Sequence, residues 1–231
     1  MHRQQGRIDD LSVPSVESGC TLGHTRWLTH GEPTDENAHP HTDCAGEVAV
    51  VHNGIITNYE QLKEELRNQG HVFDSETDTE VIPHLIEEAL SEGYDLSIAV
   101  RRVVDRLEGS YAIAVTEPAF EGLVAASQDS PLVIGHGEEG DTFLASGVTG
   151  FVEHTDRVTY LEDGDVAVLT AEETRIYNEG KRVEREVETI TWDAEAVEKG
   201  GMTTTCSRRS TNGPGRSGRP CPVGSTHSPV T

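Results

Sequence analysis

Gly23-His24-Thr25-Arg26-Trp27-Leu28-Thr29-His30-Gly31-Glu32-Pro33 runs on through Asn37-Ala38-His39-Pro40-His41, and a few residues later comes Val48-Ala49-Val50-Val51-His52-Asn53-Gly54-Ile55-Ile56. The first block is rich in polar groups and poor in core-filling side chains. A guanidinium (Arg26), an indole (Trp27), a hydroxyl (Thr29) and an imidazole (His30) fall within five residues, ahead of a glycine and a proline. That composition reads as a binding loop on a rigid base. Arg26 suits a ligand carboxylate, because its planar fork can donate two parallel hydrogen bonds. The second block reads as a buried strand over residues 48–52, with Asn53-Gly54 as the turn that follows it.

Downstream the pattern becomes helical. Asn58 is placed to cap a helix in which Tyr59, Leu62 and Leu66 share a face, and Gly70 is placed to end it. A second helix is expected from Thr77 or Asp78 to about Leu90, with Pro83 tolerated in its first turns. A third spans about Asp95 to Leu107. From Gly109 the apolar period changes to two, with strands predicted over 110–115, 122–127, 132–135, 142–145, 157–161, 165–169 and 174–177. Strands, then helices, then many strands fit an α+β layered domain with helices packed on stacked antiparallel sheets.

Composition narrows the function classes. The chain has 231 residues, 18 Lys and Arg against 41 Asp and Glu, and a formal charge of -23. Nucleic acid and anionic membranes are therefore poor partners. No run of about 18 apolar residues is present, so no membrane span is expected. Cys20, Cys44, Cys206 and Cys221 have no close pairing or metal-type spacing, which favours a reduced, cytoplasmic chain. Only Lys63, Lys181 and Lys199 are lysines. Many acids with few lysines fit a high-salt cytoplasm, where salt screens the self-repulsion.

The composition breaks near Met202. Residues 203–231 contain no Asp or Glu, although they include Arg208, Arg209, Arg216 and Arg219. Such a tail has too little apolar surface to offset its ordering entropy, so disorder is expected over 202–231. A shifted reading frame accounts for the abrupt change: Cys206 to Asn212 can be encoded so that the neighbouring frame reads Met-Leu-Lys-Glu-Ile-Asn-Glu.

HTRWLTHGEPTDENAHPH followed by VVHNGII resembles the glutaminase domain of the glucosamine-6-phosphate synthase family, the isomerising glutamine–fructose-6-phosphate aminotransferases. The likeness continues through Ser75-Glu76-Thr77-Asp78-Thr79-Glu80 and Ser130-Pro131-Leu132-Val133-Ile134-Gly135, and covers roughly residues 5–201. It implies a four-layer α/β/β/α sandwich of the N-terminal-nucleophile hydrolase type. It also implies a substrate, L-glutamine, whose side-chain amide is hydrolysed by an N-terminal cysteine that uses its own α-amino group as base. Asn53, through its side-chain amide, and Gly54, through its backbone N–H, match the oxyanion donors. Arg26 matches the residue that grips the glutamine α-carboxylate, and Asp78 the one that pairs with its α-ammonium. Trp27, Thr29 and His30 match a mobile loop that closes over glutamine. Read alone, Asp78 is equally a helix-start carboxylate, and Asn53-Gly54 a plain hairpin turn.

In the family the nucleophilic cysteine lies tens of residues before the Arg-Trp block. Here 25 residues precede Arg26 and the chain opens Met1-His2. The expectation is a partial amidotransferase domain over 1–201 that lacks the nucleophile and the first strand, and that is inactive alone. Cys20 and Cys44 are internal thiols with no base in view. The family's C-terminal sugar-phosphate isomerase half is the expected partner, and no cofactor is expected. Two other readings stay open. One is a glutamine- or glutamate-binding module without turnover, or the amidotransferase domain of another class II family. The other is a metal site built from His24, His30, His39, His41 and His52, although the resembled family has these histidines without a metal.

Overall fold

The alternating residues from Gly109 onward do build sheet, and the helices between 59 and 104 cover one of its faces. The computed structural model describes residues 2–4, 19–26 and 31–191. Trp27, Thr29 and His30 therefore lie outside the described residues, as do the composition break near Met202, the tail and its proposed frameshift. By contacts the chain divides into one unit over Met1–Thr191 and another over Trp192–Thr231. Every described helix and strand belongs to the first unit.

The elements are β1 (His41–Thr42), β2 (Ala49–Ile56), α1 (Tyr59–Gln69), α2 (Val81–Ser91), α3 (Leu96–Val104), β3 (Gly109–Thr116), β4 (Gly122–Gln128) and β5 (Val133–His136). β6 (Thr142–Ala145), β7 (Arg157–Tyr160), β8 (Asp165–Thr170), β9 (Thr174–Asn178), β10 (Lys181–Val183) and β11 (Glu188–Thr189) complete the set. They form two sheets, ordered β1-β2-β3-β4-β8-β9-β10 and β11-β7-β5-β6, and every pairing is antiparallel.

The period of two sorts each central strand onto two faces. Ile113 and Val115 of β3, Val124 and Ala126 of β4, and Val166 and Val168 of β8 pack toward the helices. Leu62 and Leu66, Ile82 and Ile86, and Val100 and Val103 meet them from α1, α2 and α3. The opposite face carries Ala112, Ala125, Ala167 and Leu169, which pack with Ile134 of the smaller sheet and with Leu132 just before it. The alanines let the two sheets approach closely. Fully burying each branched side chain stabilises by about 1.5–3 kcal/mol. The described residues thus build three layers, helix on sheet on sheet, a mixed α+β arrangement with antiparallel sheets.

Three local expectations change. Asn53-Gly54 is not a hairpin turn. β2 runs through it, with Asn53 opposite Ala112 and Gly54 opposite Tyr111 in the ladder to β3. The chain turns only after Ile56. Asn58 flanks α1 without capping it: its Nδ2 donates to the Arg106 carbonyl at 2.8 Å and its Oδ1 accepts from the Glu108 N–H at 3.0 Å. α2 begins at Val81 rather than at Thr77 or Asp78, because the side chains of residues 75–80 are engaged elsewhere. Gly70 does end α1 in the left-handed region, and Asp95, the expected start of the third helix, caps α3 by accepting from the Ile98 N–H at 2.9 Å.

Candidate functional site

Gly54 has φ of +133°, and a Cβ there would collide with the Ser110 carbonyl oxygen. Only glycine fits a strand position held that close to its neighbour. The preceding residue, Asn53, keeps its side chain exposed. Its Oδ1 lies 2.9 Å from His24 Nε2, so the histidine donates and the amide N–H₂ group stays available to another acceptor. Burial pushes His24 below its ordinary pKa, which keeps the ring neutral with its proton on Nε2.

His24 is the first of a series of packed rings. It stacks on His39 at 4.1 Å between centroids, and His39 meets His41 edge-on at 4.9 Å. The His52 N–H donates to His39 Nδ1 at 3.1 Å. His41 Nε2 lies 3.0 Å from Thr77 Oγ1, and His52 Nδ1 lies 2.8 Å from Thr79 Oγ1. Burial first, then the neighbouring imidazoles and Arg26, push His39 far below its ordinary range. Burial and the Arg3 guanidinium push His41 down to about 3. Among the described residues these rings are structural links between β1, β2 and the segment that enters α2. They do not converge as the ligand set weighed from their spacing.

Asp78 is 2% exposed. Its Oδ2 accepts the Ile56 N–H at 2.7 Å, which fixes the carboxylate beside the end of β2. Glu80, also buried, accepts from the Asp74 and Ser75 N–H groups at 2.8 Å each and from Ser75 Oγ at 2.6 Å. This network holds residues 74–80 in a fixed course ahead of α2.

The loop over 31–37 is tied to that course. Asn37 Oδ1 accepts the Glu76 N–H at 2.8 Å, while Glu76 Oε2 accepts from the Glu32 N–H at 3.2 Å and from Asn37 Nδ2 at 3.3 Å. Arg26 closes the loop, donating to the Glu32 carbonyl at 2.9 Å and the Gly31 carbonyl at 3.1 Å. Part of its fork is therefore committed to the backbone, where composition alone offered it to a ligand. Sequence reasoning weighed His24 only as a metal ligand and assigned no role to Asn37, Glu76 or Glu80. His24 and Asn37 stood in the quoted block, but only the fold shows what they hold.

A cavity of about 1140 Å³ opens beside Asn53, walled by Val51, His52, Ala112 and Ala114 from the large sheet and by Thr142 and Leu144 of β6. β6 is the last strand of its sheet, with no partner on its far edge among the described residues. Cys20 also lines this cavity, and burial pushes its thiol above the ordinary range, so it is protonated and a poor nucleophile.

Residues 24–153, more than half of the chain, match the glutamine amidotransferase domain family. The chain belongs to that family. Among curated relatives it is 57% identical over 202 residues to the glutamine–fructose-6-phosphate aminotransferase (isomerizing) of Halobacterium salinarum, covering 87% of this chain and 33% of that protein. It is 50% identical to the enzyme of that name from Methanothermobacter thermautotrophicus (86% and 34% covered). It is 54% identical to the one from Thermotoga maritima (87% and 34% covered). The amidotransferase chain thus spans about a third of the length of these relatives. Among solved structures it resembles glutamine phosphoribosylpyrophosphate amidotransferase from B. subtilis, with a TM-score of 0.56 and 29% identity over 67% of this chain and 34% of that one. A second, the allosteric regulatory enzyme of purine biosynthesis, gives a TM-score of 0.53 at 29% identity over 63% and 32%. No described helix of this amidotransferase chain is long and apolar enough to cross a membrane.

Proposed function

We propose that this chain is the glutaminase portion of an isomerising glutamine–fructose-6-phosphate aminotransferase, in which glutamine hydrolysis supplies ammonia for transfer to fructose 6-phosphate. The observation that carries the reading is the hydrogen bond from the Ile56 N–H to Asp78. It holds a buried carboxylate against the strand two residues beyond the Asn53-Gly54 pair, which supports a site for an amino acid with a charged head and a distal amide.

In this reading Asp78 balances the α-ammonium group, because a charged amine in a desolvated site needs a compensating charge. Arg26, whose guanidinium also braces the Gly31 and Glu32 carbonyls, takes the α-carboxylate. Trp27, Thr29 and His30, which the resemblance assigns to glutamine binding, lie outside the described residues. The Gly54 N–H and the Asn53 side-chain amide face the carbonyl oxygen of the glutamine amide and stabilise the charge that builds there during attack, the largest electrostatic contribution in acyl transfer. His24 acts through Asn53: by donating to Oδ1 it turns the amide N–H₂ toward the substrate.

The attacking thiolate in such an enzyme belongs to an N-terminal cysteine. It adds to the amide carbon, ammonia departs, and water releases glutamate from the thioester. The four cysteines of these 231 residues are internal, and their nitrogens are amides that cannot serve as the base. We place the nucleophile's strand beside β6, whose far edge has no partner among the described residues, and infer a second helical layer on the outer face of that sheet, which would make a four-layer α/β/β/α sandwich. A sugar-phosphate isomerase half supplies the acceptor site.

Binding without turnover is the test. L-glutamine is expected to raise the melting temperature of the 231-residue polypeptide in a saturable way, D-glutamine is not, and glutamate release stays at the blank. At a hundredfold excess over Kd the stabilisation is about 2.7 kcal/mol. Equal shifts with both enantiomers would remove the reading. Glutamate release abolished by Cys20→Ser or Cys44→Ser would replace it with an internal-thiol mechanism.

A further inference from the structure

Cys44, His71, His84 and Glu87 bring their ligand atoms within 4.8 Å of one another, on three separate segments of chain. None of the four lines the cavity beside Asn53. Cys44 lies in the β1–β2 loop, which Asp43 holds rigid: its Oδ1 accepts the Glu47 N–H at 2.7 Å and the Val48 N–H at 2.9 Å. His71 comes just after the left-handed Gly70 that ends α1, and its own N–H donates to the Leu66 carbonyl at 3.0 Å. His84 and Glu87 stand one turn apart on α2 and so share a face. Three pieces far apart in sequence thus present one sulfur, two imidazole nitrogens and one carboxylate oxygen to a common point.

Four of the six distances between these ligand atoms match the edges of a coordination tetrahedron, and all six lie within 4.8 Å. Cys44 Sγ is 3.4 Å from His71 Nδ1 and 3.6 Å from His84 Nδ1. Glu87 Oε2 is 3.2 Å from His71 Nδ1 and 3.4 Å from His84 Nδ1. Zinc bonds of about 2.0–2.3 Å to nitrogen, oxygen and sulfur set tetrahedral edges of about 3.3–3.6 Å. Glu87 Oε2 also accepts the Cys44 N–H at 3.1 Å, which holds the carboxylate beside the thiol. A thiol is a weak donor, and two imidazoles and a carboxylate crowd around it.

The surroundings support the ligands. His71 Nε2 sits 2.8 Å from Glu88 Oε1, the carboxylate–histidine contact that fixes a ligating ring and directs the lone pair of Nδ1 inward. His84 is 1% exposed and held edge-on by Phe73 at 4.6 Å. Its Nε2 is buried without a hydrogen-bond partner, so Nδ1 carries the ring's polar contacts.

We propose that Cys44, His71, His84 and Glu87 form a structural zinc site, with Glu88 as the positioning residue for His71. The donor set selects the metal: a thiolate and two imidazoles suit Zn²⁺, whereas Mg²⁺ and Ca²⁺ take oxygen ligands. Four protein ligands close the tetrahedron, which marks a structural role. Cys44 releases its proton on binding, and the thiolate and carboxylate together neutralise the ion's charge. The ion clamps the β1–β2 loop to α2. It thereby steadies the segment entering α2, where Thr77 and Thr79 contact His41 and His52 and where Asp78 lies. The site does not depend on the glutaminase reading.

The test uses the chain without a histidine tag, with Cys206 and Cys221 changed to serine, reduced, stripped with EDTA and titrated with Zn²⁺ against a chromophoric chelator. One equivalent is expected. Co²⁺ is expected to give a thiolate charge-transfer band and the strong visible bands of a four-coordinate ion. Cys44→Ser should remove the charge-transfer band and weaken binding at least tenfold. Glu88→Gln, which changes a half-buried carboxylate, should weaken it about 10–100-fold. No uptake by the parent protein overturns the site. So does an ion held equally well after Cys44→Ser and Glu88→Gln.

Discussion

Asp78 and Ile56 are joined by a 2.7 Å hydrogen bond from the strand backbone to a carboxylate that is 2% exposed. The bond ties the segment before α2 to the end of β2. It makes one rigid piece of two parts of the chain that are 22 residues apart in sequence. Asn53 and Gly54 lie on that same piece. In the proposed reading this backbone contact fixes the separation between Asp78, which meets the substrate ammonium, and the Asn53-Gly54 pair, which meets its amide.

Gly54→Ala tests how tightly this strand is held. The new methyl group meets the Ser110 carbonyl, and the backbone sits at φ of +133°. A loss of about 1–3 kcal/mol is expected from the strained conformation, with the steric clash adding to it. Urea denaturation followed by circular dichroism measures it. A variant as stable as the parent would show that β2 can shift away from β3 at this point.

Acid should weaken the fold through the buried histidines. His24, His39 and His41 all have their pKa lowered in the folded chain, chiefly by burial, and His41 falls to about 3. His52, Arg26, Arg3, Thr77 and Thr79 face them. Below the ordinary value of about 6.5 the unfolded chain takes up protons that these rings refuse. Their contribution is therefore fully present above about pH 6.5 and is lost as pH falls toward 3, by about 1.4 kcal/mol per pH unit for each ring in its window. Melting temperatures between pH 7.5 and pH 5 should fall, and replacing His41 by Asn should flatten the slope even if it lowers the plateau.

Salt should matter for the chain as a whole. With a formal charge of -23 and three lysines, self-repulsion at low ionic strength is long-range. Dialysis from molar salt to about 10 mM, where the screening length grows to about 30 Å, is expected to unfold the protein. Circular dichroism unchanged across that range would contradict a high-salt setting.

Much of the layering could be read from the residues alone. The switch from helical spacing to period two at Gly109 marked the helix-to-sheet transition, and the predicted strands from 110 to 177 all form. Asp95 and Gly70 bounded their helices because capping is local chemistry. What failed was long-range. Asn53-Gly54 has the composition of a turn, yet pairing with β3 keeps it extended. Asn58 prefers the Arg106 and Glu108 backbone to the helix beside it, and Asp78 prefers Ile56. Those partners lie 22 to 50 residues away, where no local pattern reports them. The Cys44, His71, His84 and Glu87 cluster escaped for the same reason: its ligands come from three segments, and no spacing motif links them.

Calorimetric titration of L-glutamine into the parent chain and into Asp78→Asn reaches the central claim most directly. The change keeps the size of the side chain and an oxygen to accept the Ile56 N–H, while removing the charge that the substrate ammonium needs. Saturable heat with the parent and at least a tenfold weaker Kd with Asp78→Asn are predicted. Equal affinity in the two proteins, or no binding by a folded parent, would contradict the account.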